Sequence, residues 1–228
     1  MVFSFSGMAV RRAVPFKMTQ SPDKPTADHL INVAGEIFAT KGISATVREI
    51  CGAAGCSVAA INYHFGDKQQ LYVRCVQAAC EGKQRLFPLP RVDDETPAEV
   101  LLRQFLRAMT ARIAGSSNVT WHNALMLREV LQPSETVEKL LRSNFLPDFQ
   151  SLSKVLSRLM GEGLDSRPLR DDLANQIFAR CMFLRTGKQL RQMLEICSAD
   201  SEDPERLADH ICDSILGQIA YMKSTSPY

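Results

Sequence analysis

The chain is 228 residues long, 45% apolar and 23% charged, which excludes disorder over most of its length and suits compact units with a substantial core. Its net charge of +2 is no argument for a polyanionic partner, and the cations and carboxylates of residues 26–83 balance, so affinity for nucleic acid would depend on where the cations sit. No run of 18 apolar residues could span a membrane, the apolar N-terminal residues precede the Arg11-Arg12 pair rather than follow it as in a secretory signal, and seven cysteines without a C-x-x-C pair fit reduced thiols in a cytoplasm.

Residues 1–25 lack helical period and tilt basic through Arg11, Arg12, Lys17 and Lys24, which reads as a mobile arm; Met8 and Met18 are alternative starts. From Thr26, Leu30, Ala34, Ile37 and Phe38 form one apolar stripe, and Gly42 ends that helix. Thr46 and Glu49 then make a capping box for a short helix carrying Ile50, Cys51 and Ala54. Gly55 permits a tight turn and Ser57 caps a second short helix, Val58 to Phe65. Two short helices across a glycine turn form a helix-turn-helix, whose second helix enters a DNA major groove. Ile50, Ile61 and Phe65 read as the core that sets their crossing angle. Asp67 with Gln70 opens a further helix running toward Phe87.

Pro88, Pro90 and Asp93-Asp94-Glu95 form the clear internal linker. Thr96-Pro97-Ala98-Glu99 reads as a helix start with Thr96 as cap, and helices are expected at 97–114, 119–131, 134–160, 168–190 and 203–223. Pro147 is expected to kink or split the third of these. No strand alternation appears, so the expected fold is all-α: an N-terminal three-helix helix-turn-helix domain followed by a C-terminal helical domain, to which the family resemblance given below assigns ligand binding and dimerisation. The corresponding division is 1–25 arm, 26–72 DNA-binding unit, 73–87 connecting helix and 88–223 C-terminal unit.

Residues 26–72 resemble the N-terminal domain of TetR-family transcriptional regulators, through GEIFATKG, TVREI, the AGCS turn and the YHFGDKQQLY run, in order and without gaps. The AINYHFG variant and the WHNALMLREVLQPSE stretch are similar to the subgroup with a CecR-type C-terminal domain. The resemblance implies an all-helical homodimer that binds a palindromic operator and releases it when a small-molecule effector enters the C-terminal domain. It places DNA contacts on the residues that physical reasoning also selects. Val58, Ala59 and Ala60 are small enough to touch thymine methyls, and Arg48 is the candidate for a guanine contact. Thr46, Ser57 and Lys68 flank the reading helix and suit phosphates. Tyr63 and His64 reach phosphate or base, although Tyr63 could instead fill the core. Asn62 has two readings, an adenine contact or an inward hydrogen bond.

In the C-terminal half, Leu173, Ile177, Phe178, Cys181, Met182 and Leu184, then Leu207, Ile211, Ile215, Leu216 and Ile219, make apolar faces wide enough to suggest dimerisation through the last two long helices. The other reading is that they fill the core of one protomer. Candidates for an effector pocket are Phe105, Met109, Trp121, His122, Met126, Glu129, Phe178 and Met182, although Met and aromatic residues at helical spacing also mark plain core. Glu129 reads as a buried structural pair first and a ligand anchor second. No metal-ligand set, nucleophile–base pair or phosphate loop appears, so neither metal, cofactor nor enzymatic activity is expected. A thiol-oxidation sensor is the alternative regulator.

Overall fold

A computed structural model describes residues 26–114, 120–195 and 203–225, without the side chains of 114, 120, 184, 185, 188 and 189. The expected arm at 1–25 and the side chain of Leu184 therefore lie outside the described residues. Those described form an all-α protein.

Helix α1, Ala27–Lys41, is capped by Thr26, whose side chain accepts from the His29 amide at 3.2 Å, and it buries Leu30, Ala34, Gly35 and Phe38. After a short 3-10 turn come α2, Val47–Ala54, and α3, Val58–Phe65, separated by Gly55 at φ 63°. That left-handed backbone costs any side-chain-bearing residue about 1 kcal/mol or more, and it lets the Cys56 amide bond back to the Cys51 carbonyl at 3.0 Å. Helix α4, Lys68–Leu86, starts on Asp67, whose side chain accepts from the Gln70 amide at 2.8 Å.

The C-terminal half comprises α5, Ala98–Ala114; α6, Thr120–Leu131; α7, Glu138–Met160; α8, Arg167–Thr186; α9, Lys188–Met193; and α10, Pro204–Thr225. Its core joins Leu102, Phe105 and Leu106 of α5 to Leu152 and Leu156 of α7, Ile177 of α8, and Ile211 and Ile215 of α10. Arg103 and Arg107 of α5 hold Asp209 and Asp213 of α10 at 2.8–3.0 Å along the rim of this core. The N-terminal core gathers Phe38, Ile50, Ile61, Leu71, Tyr72 and Val76, and it also takes in Trp121, Leu125, Val137 and Leu141 from beyond the linker. Ile50 and Ile61 are fully buried there and Phe65 packs partly buried against them, so they hold α2 and α3 together.

Four sequence expectations change. Helix α7 runs unbroken through Pro147. The ring sits on an exposed face, while Leu152, Val155, Leu156 and Leu159 beyond it are buried, and their burial outweighs one lost backbone bond. The same helix starts at Glu138 rather than 134, because Ser134 turns back to Glu129. Thr96 does not cap α5; its hydroxyl donates to Asp93 at 3.1 Å, and Arg158 holds the Thr96 carbonyl at 2.7 Å. Finally, Leu173, Ile177, Cys181, Ile211, Ile215 and Ile219 are buried inside one protomer, with Phe178, Leu207 and Leu216 packed partly buried against the same core. The apolar width cited for dimerisation is consumed by the fold itself. The small and apolar residues that α8 and α10 expose, among polar ones such as Asn175, Arg180 and Ser214, include Ala179, Phe183, Gly217, Ala220 and Tyr221.

Candidate nucleic-acid interface and effector cavity

The capping chemistry fixes α2 and α3 and leaves one face of α3 open. Glu49 accepts from the Thr46 amide at 2.8 Å, while the Glu49 amide donates to the Thr46 hydroxyl at 3.3 Å. The Glu49 carboxylate also pairs with Lys41, and that hydrogen bond, ahead of those from Thr46, lowers its pKa to about 2. Lys41 and Thr46 are thus engaged within the protein. Arg48, one residue before Glu49, is exposed and has no hydrogen bond or ion pair to a described residue. Ser57 caps α3 by accepting from the Ala60 amide at 3.3 Å.

Along α3, Val58, Ala59, Asn62, Tyr63 and His64 are exposed and Ala60 is partly so. Tyr63 is 84% exposed, which removes it from the core, and its ring meets His64 edge-on at 5.1 Å. Asn62 also faces outward, which removes its inward reading. Lys68 departs from expectation. Its ammonium donates to the Ile43 and Ala45 carbonyls at 2.7 and 3.0 Å, tying the start of α4 to the turn before α2. Only one of its three donors is left for a phosphate.

A cavity of about 630 Å³ lies between α4, α5, α6, α7 and α8. Of the residues expected to line it, Met109, Met126, Phe178 and Met182 do so. Phe105 and Trp121 are buried in the two cores, Glu129 is buried in a hydrogen-bonded cluster, and His122 sits beside Gly82 at its back; none of the four is on the cavity wall. The wall also carries polar residues that sequence reasoning missed: Lys83, Gln84, Arg112, Asn123, Arg142, Asn144 and Asp148. Arg112 follows Met109 by one helical turn, a signal that could have found it; Asp148 had none. Arg112 donates to Asp148 and to the Phe87 carbonyl, each at 2.7 Å. Burial pushes the Asp148 carboxyl above its ordinary range, and Arg112 opposes that shift.

Helix α6 lies between the cavity and helices α1 and α4 of the N-terminal unit. One face lines the cavity with Asn123, Met126, Leu127 and Val130. Another presses the Trp121 ring on Gly35 of α1, where a Cβ would lie 2.5 Å from the indole. Glu129 accepts from Tyr72 of α4 and from the amide and hydroxyl of Ser134 at 3.0 and 3.1 Å. Burial first, and Glu129 second, raise the Tyr72 phenol.

Burial and the nearby Lys83 lower the His122 pKa to about 4, so the imidazole is neutral at physiological pH. The unfolded chain takes up this proton near pH 6.5, before the folded chain does, so the stability tied to His122 is full above pH 6.5 and falls as pH drops toward 4. Melting temperature measured across that window should show the loss, and His122→Asn should flatten the slope; an unchanged slope would assign the titration to another group.

The thiols of Cys51, Cys75, Cys80, Cys181 and Cys212 are all pushed up by burial, Cys80 to about 11 and Cys75 and Cys181 to about 12, which disfavours thiolate. Among the described residues no three His, Cys, Asp or Glu side chains gather as a metal site, and no helix is long and apolar enough to cross a membrane.

Residues 30–75 match the family described as bacterial regulatory proteins, tetR family, and residues 98–219 match that described as HTH-type transcriptional dual regulator CecR, C-terminal domain. The chain is 28% identical over 177 residues to the HTH-type transcriptional dual regulator CecR of Shigella flexneri, covering 69% of this chain and 78% of the relative. Its fold is similar to AibR, solved in complex with isovaleryl coenzyme A and operator DNA, with a TM-score of 0.57 at 15% identity over 84% of this chain and 96% of that one. It is also similar to HlyIIR, a hemolysin II transcriptional regulator, with a TM-score of 0.56 at 19% identity over 81% and 95% of the two chains. The exposed helix α3, the cavity between α4 and α8 and these two consecutive matches agree: the chain belongs to the TetR family of DNA-binding transcriptional regulators, with a C-terminal domain of the CecR type.

Proposed function

We propose that the protein is a homodimeric repressor that leaves a palindromic operator when a small molecule enters the cavity between α4 and α8. The observation that carries this reading is the outward face of α3, where Val58, Ala59, Asn62, Tyr63 and His64 are exposed beside Arg48. In this assignment 26–72 is the DNA-binding unit, 73–87 the connecting helix and 88–223 the effector-binding and dimerisation unit. Arg48 contacts guanine, Asn62 reads adenine, and the first turn of α3 meets thymine methyls. Tyr63, His64, Ser57 and the one remaining donor of Lys68 bind phosphate, while both donors of Thr46 are held by Glu49. Dimerisation buries the outward faces of α8 and α10 around Phe183 and Tyr221, both about half exposed or more in one protomer. AibR, solved with a coenzyme A ester and operator DNA, supports a ligand-gated mechanism by analogy.

Gating follows from the position of α6. An effector held by Met126, Leu127 and Val130 displaces the helix whose Trp121 and Glu129 hold α1 and α4, and so favours the conformer in which paired reading helices miss successive grooves. The raised thiol pKa values of the buried cysteines weigh against oxidation sensing, and replacing all cysteines should leave the effector response intact. The CecR relative is described as a dual regulator, which favours activation at some promoters as a second role.

Fluorescence anisotropy on DNA from upstream of the protein's own gene, with random duplex as competitor, tests the central claim: competitor-resistant binding of two protomers per site is expected. Arg48→Ala should cost about 1–3 kcal/mol per contact and relax sequence preference at one position of each half-site. Lys68→Met should weaken all sequences alike and also lower the melting temperature, because two backbone carbonyls lose their donor. Identical losses on every sequence from both substitutions would remove the specificity role from Arg48.

A further inference from the structure

We infer that the effector is a planar aromatic molecule carrying a neutral hydroxyl donor, a phenol in chemical class. This rests on reading the cavity as the effector site. The cavity volume of about 630 Å³ is that of a site for a drug-sized molecule. Phe149 of α7 and Phe178 of α8 both line it, and their rings stack 5.7 Å apart and 6° from parallel. Phe145, one turn before Phe149, adds a third ring at the mouth. Met109, Met126 and Met182 set polarisable thioethers against the same space. A saturated body would gain only the burial of apolar area from such a wall. A flat ring gains in addition from offset stacking on the phenylalanine faces and from sulfur at its edge.

The charged groups of the wall are already engaged or in solvent. Arg112 pairs with Asp148 at 2.7 Å, Arg142 is exposed, and Lys83 is held by its own partner. The open polar group belongs to a pair of carboxamides that joins α4 to α7. Asn144 donates through Nδ2 to the Leu140 carbonyl at 2.8 Å, which fixes its Oδ1 as the acceptor of Gln84 Nε2 at 3.3 Å. That bond in turn orients Gln84, whose Oε1 accepts from no described residue. A half-buried carbonyl oxygen beside an apolar wall is stabilised when a donor reaches it. A phenolic O–H supplies that donor while its ring lies on the phenylalanine faces.

Calorimetric titration of the full-length protein with β-naphthol, decahydro-β-naphthol and β-naphthyl methyl ether, each within its solubility, separates ring from hydroxyl. The saturated alcohol is the bulkier, so burial of apolar area alone would favour it. β-Naphthol should instead bind about tenfold tighter than the saturated alcohol and about fivefold tighter than the ether, which lacks the O–H. Phe149→Leu should narrow the first ratio to below about threefold. Gln84→Leu combined with Asn144→Leu replaces both carboxamides by apolar groups of similar size. It should narrow the second ratio to below about twofold without weakening the ether, which also shows that the variant is folded. Equal or tighter binding of the saturated alcohol or of the ether would overturn the phenol class while leaving the cavity as the effector site, as would ratios that these variants leave unmoved. Met182→Trp fills the cavity and Val130→Trp, at an exposed position, obstructs its mouth. Weakened binding of all three probes in either folded variant places them there. Full-strength binding in both, or none by any probe to the unaltered protein, would overturn the cavity reading together with the inference built on it.

Discussion

Glu129→Ala is expected to lower the unfolding free energy by about 3 kcal/mol or more, measured by urea denaturation monitored through helix content. The side chain is 2% exposed and accepts hydrogen bonds from the Tyr72 phenol, the Ser134 amide and the Ser134 hydroxyl. Its removal leaves three buried or half-buried donors without a partner and opens space between α4, α6 and the turn before α7. Tyr72→Phe isolates one of those bonds and should cost about 1–2 kcal/mol, because the phenyl ring keeps its edge-on contact with Phe38 at 4.8 Å. The same variant also separates α4 from α6 without emptying the core. In operator-release measurements it should weaken the effector response more than it weakens DNA binding. A Glu129→Ala protein as stable as its parent would mean that Ser134 and Tyr72 find other partners, and that this cluster does not hold the two halves together.

Gly35→Ala should destabilise the protein by about 1–3 kcal/mol, although alanine is the better helix former in an open position. The added methyl would lie 2.5–2.6 Å from three carbons of the Trp121 ring. The indole is 4% exposed, packed within the N-terminal core and edge-on to His122 at 4.1 Å, so it has little room to retreat. Combining Gly35→Ala with Trp121→Leu tests the contact directly. The double variant should be less destabilised than the sum of the two single ones, since the smaller side chain makes room for the methyl. Strict additivity would show that the two residues do not act on each other. The Trp121 Nε1 has no hydrogen-bond partner among the described residues, so Trp121→Phe would sacrifice packing area but no such bond.

The helix-turn-helix was legible because its determinants are local. Thr46 with Glu49, Gly55, Ser57 and Asp67 each act within three or four residues, and a capping side chain or a left-handed turn leaves a mark that spacing reveals. The structural share of Lys68 was illegible for the opposite reason: its two carbonyl partners lie 25 and 23 residues away. The cavity was half legible. Met109, Met126, Phe178 and Met182 line it while Phe105 and Trp121 fill the cores, yet all six are apolar residues at helical spacing, and nothing in a single helix tells an empty neighbour from a filled one. The apolar residues cited for a dimer face were ambiguous in the same way, because a wide apolar face looks the same whether it meets its own chain or a second copy. Pro147 does not split its helix: the loss of one backbone bond is visible in sequence, and the burial of four leucine and valine side chains beyond it is not.

Because Trp121, Leu125, Val137 and Leu141 sit in the same apolar cluster as Phe38, Ile61 and Tyr72, the DNA-reading unit is not a cassette that recombination could exchange on its own. A cut at the Pro88–Pro90 connection would strip that unit of part of its interior and leave apolar groups on both fragments in water. A chimaera that inherits its operator preference from one parent and its effector preference from another has to take α6 and the first turn of α7 with the reading helix. Since α6 also lines the cavity, such exchanges would, on the proposed effector reading, carry part of the chemical specificity along with the DNA specificity. On that reading, a new signal would be matched to the same promoter with less disruption by substitutions around the cavity than by exchange of halves.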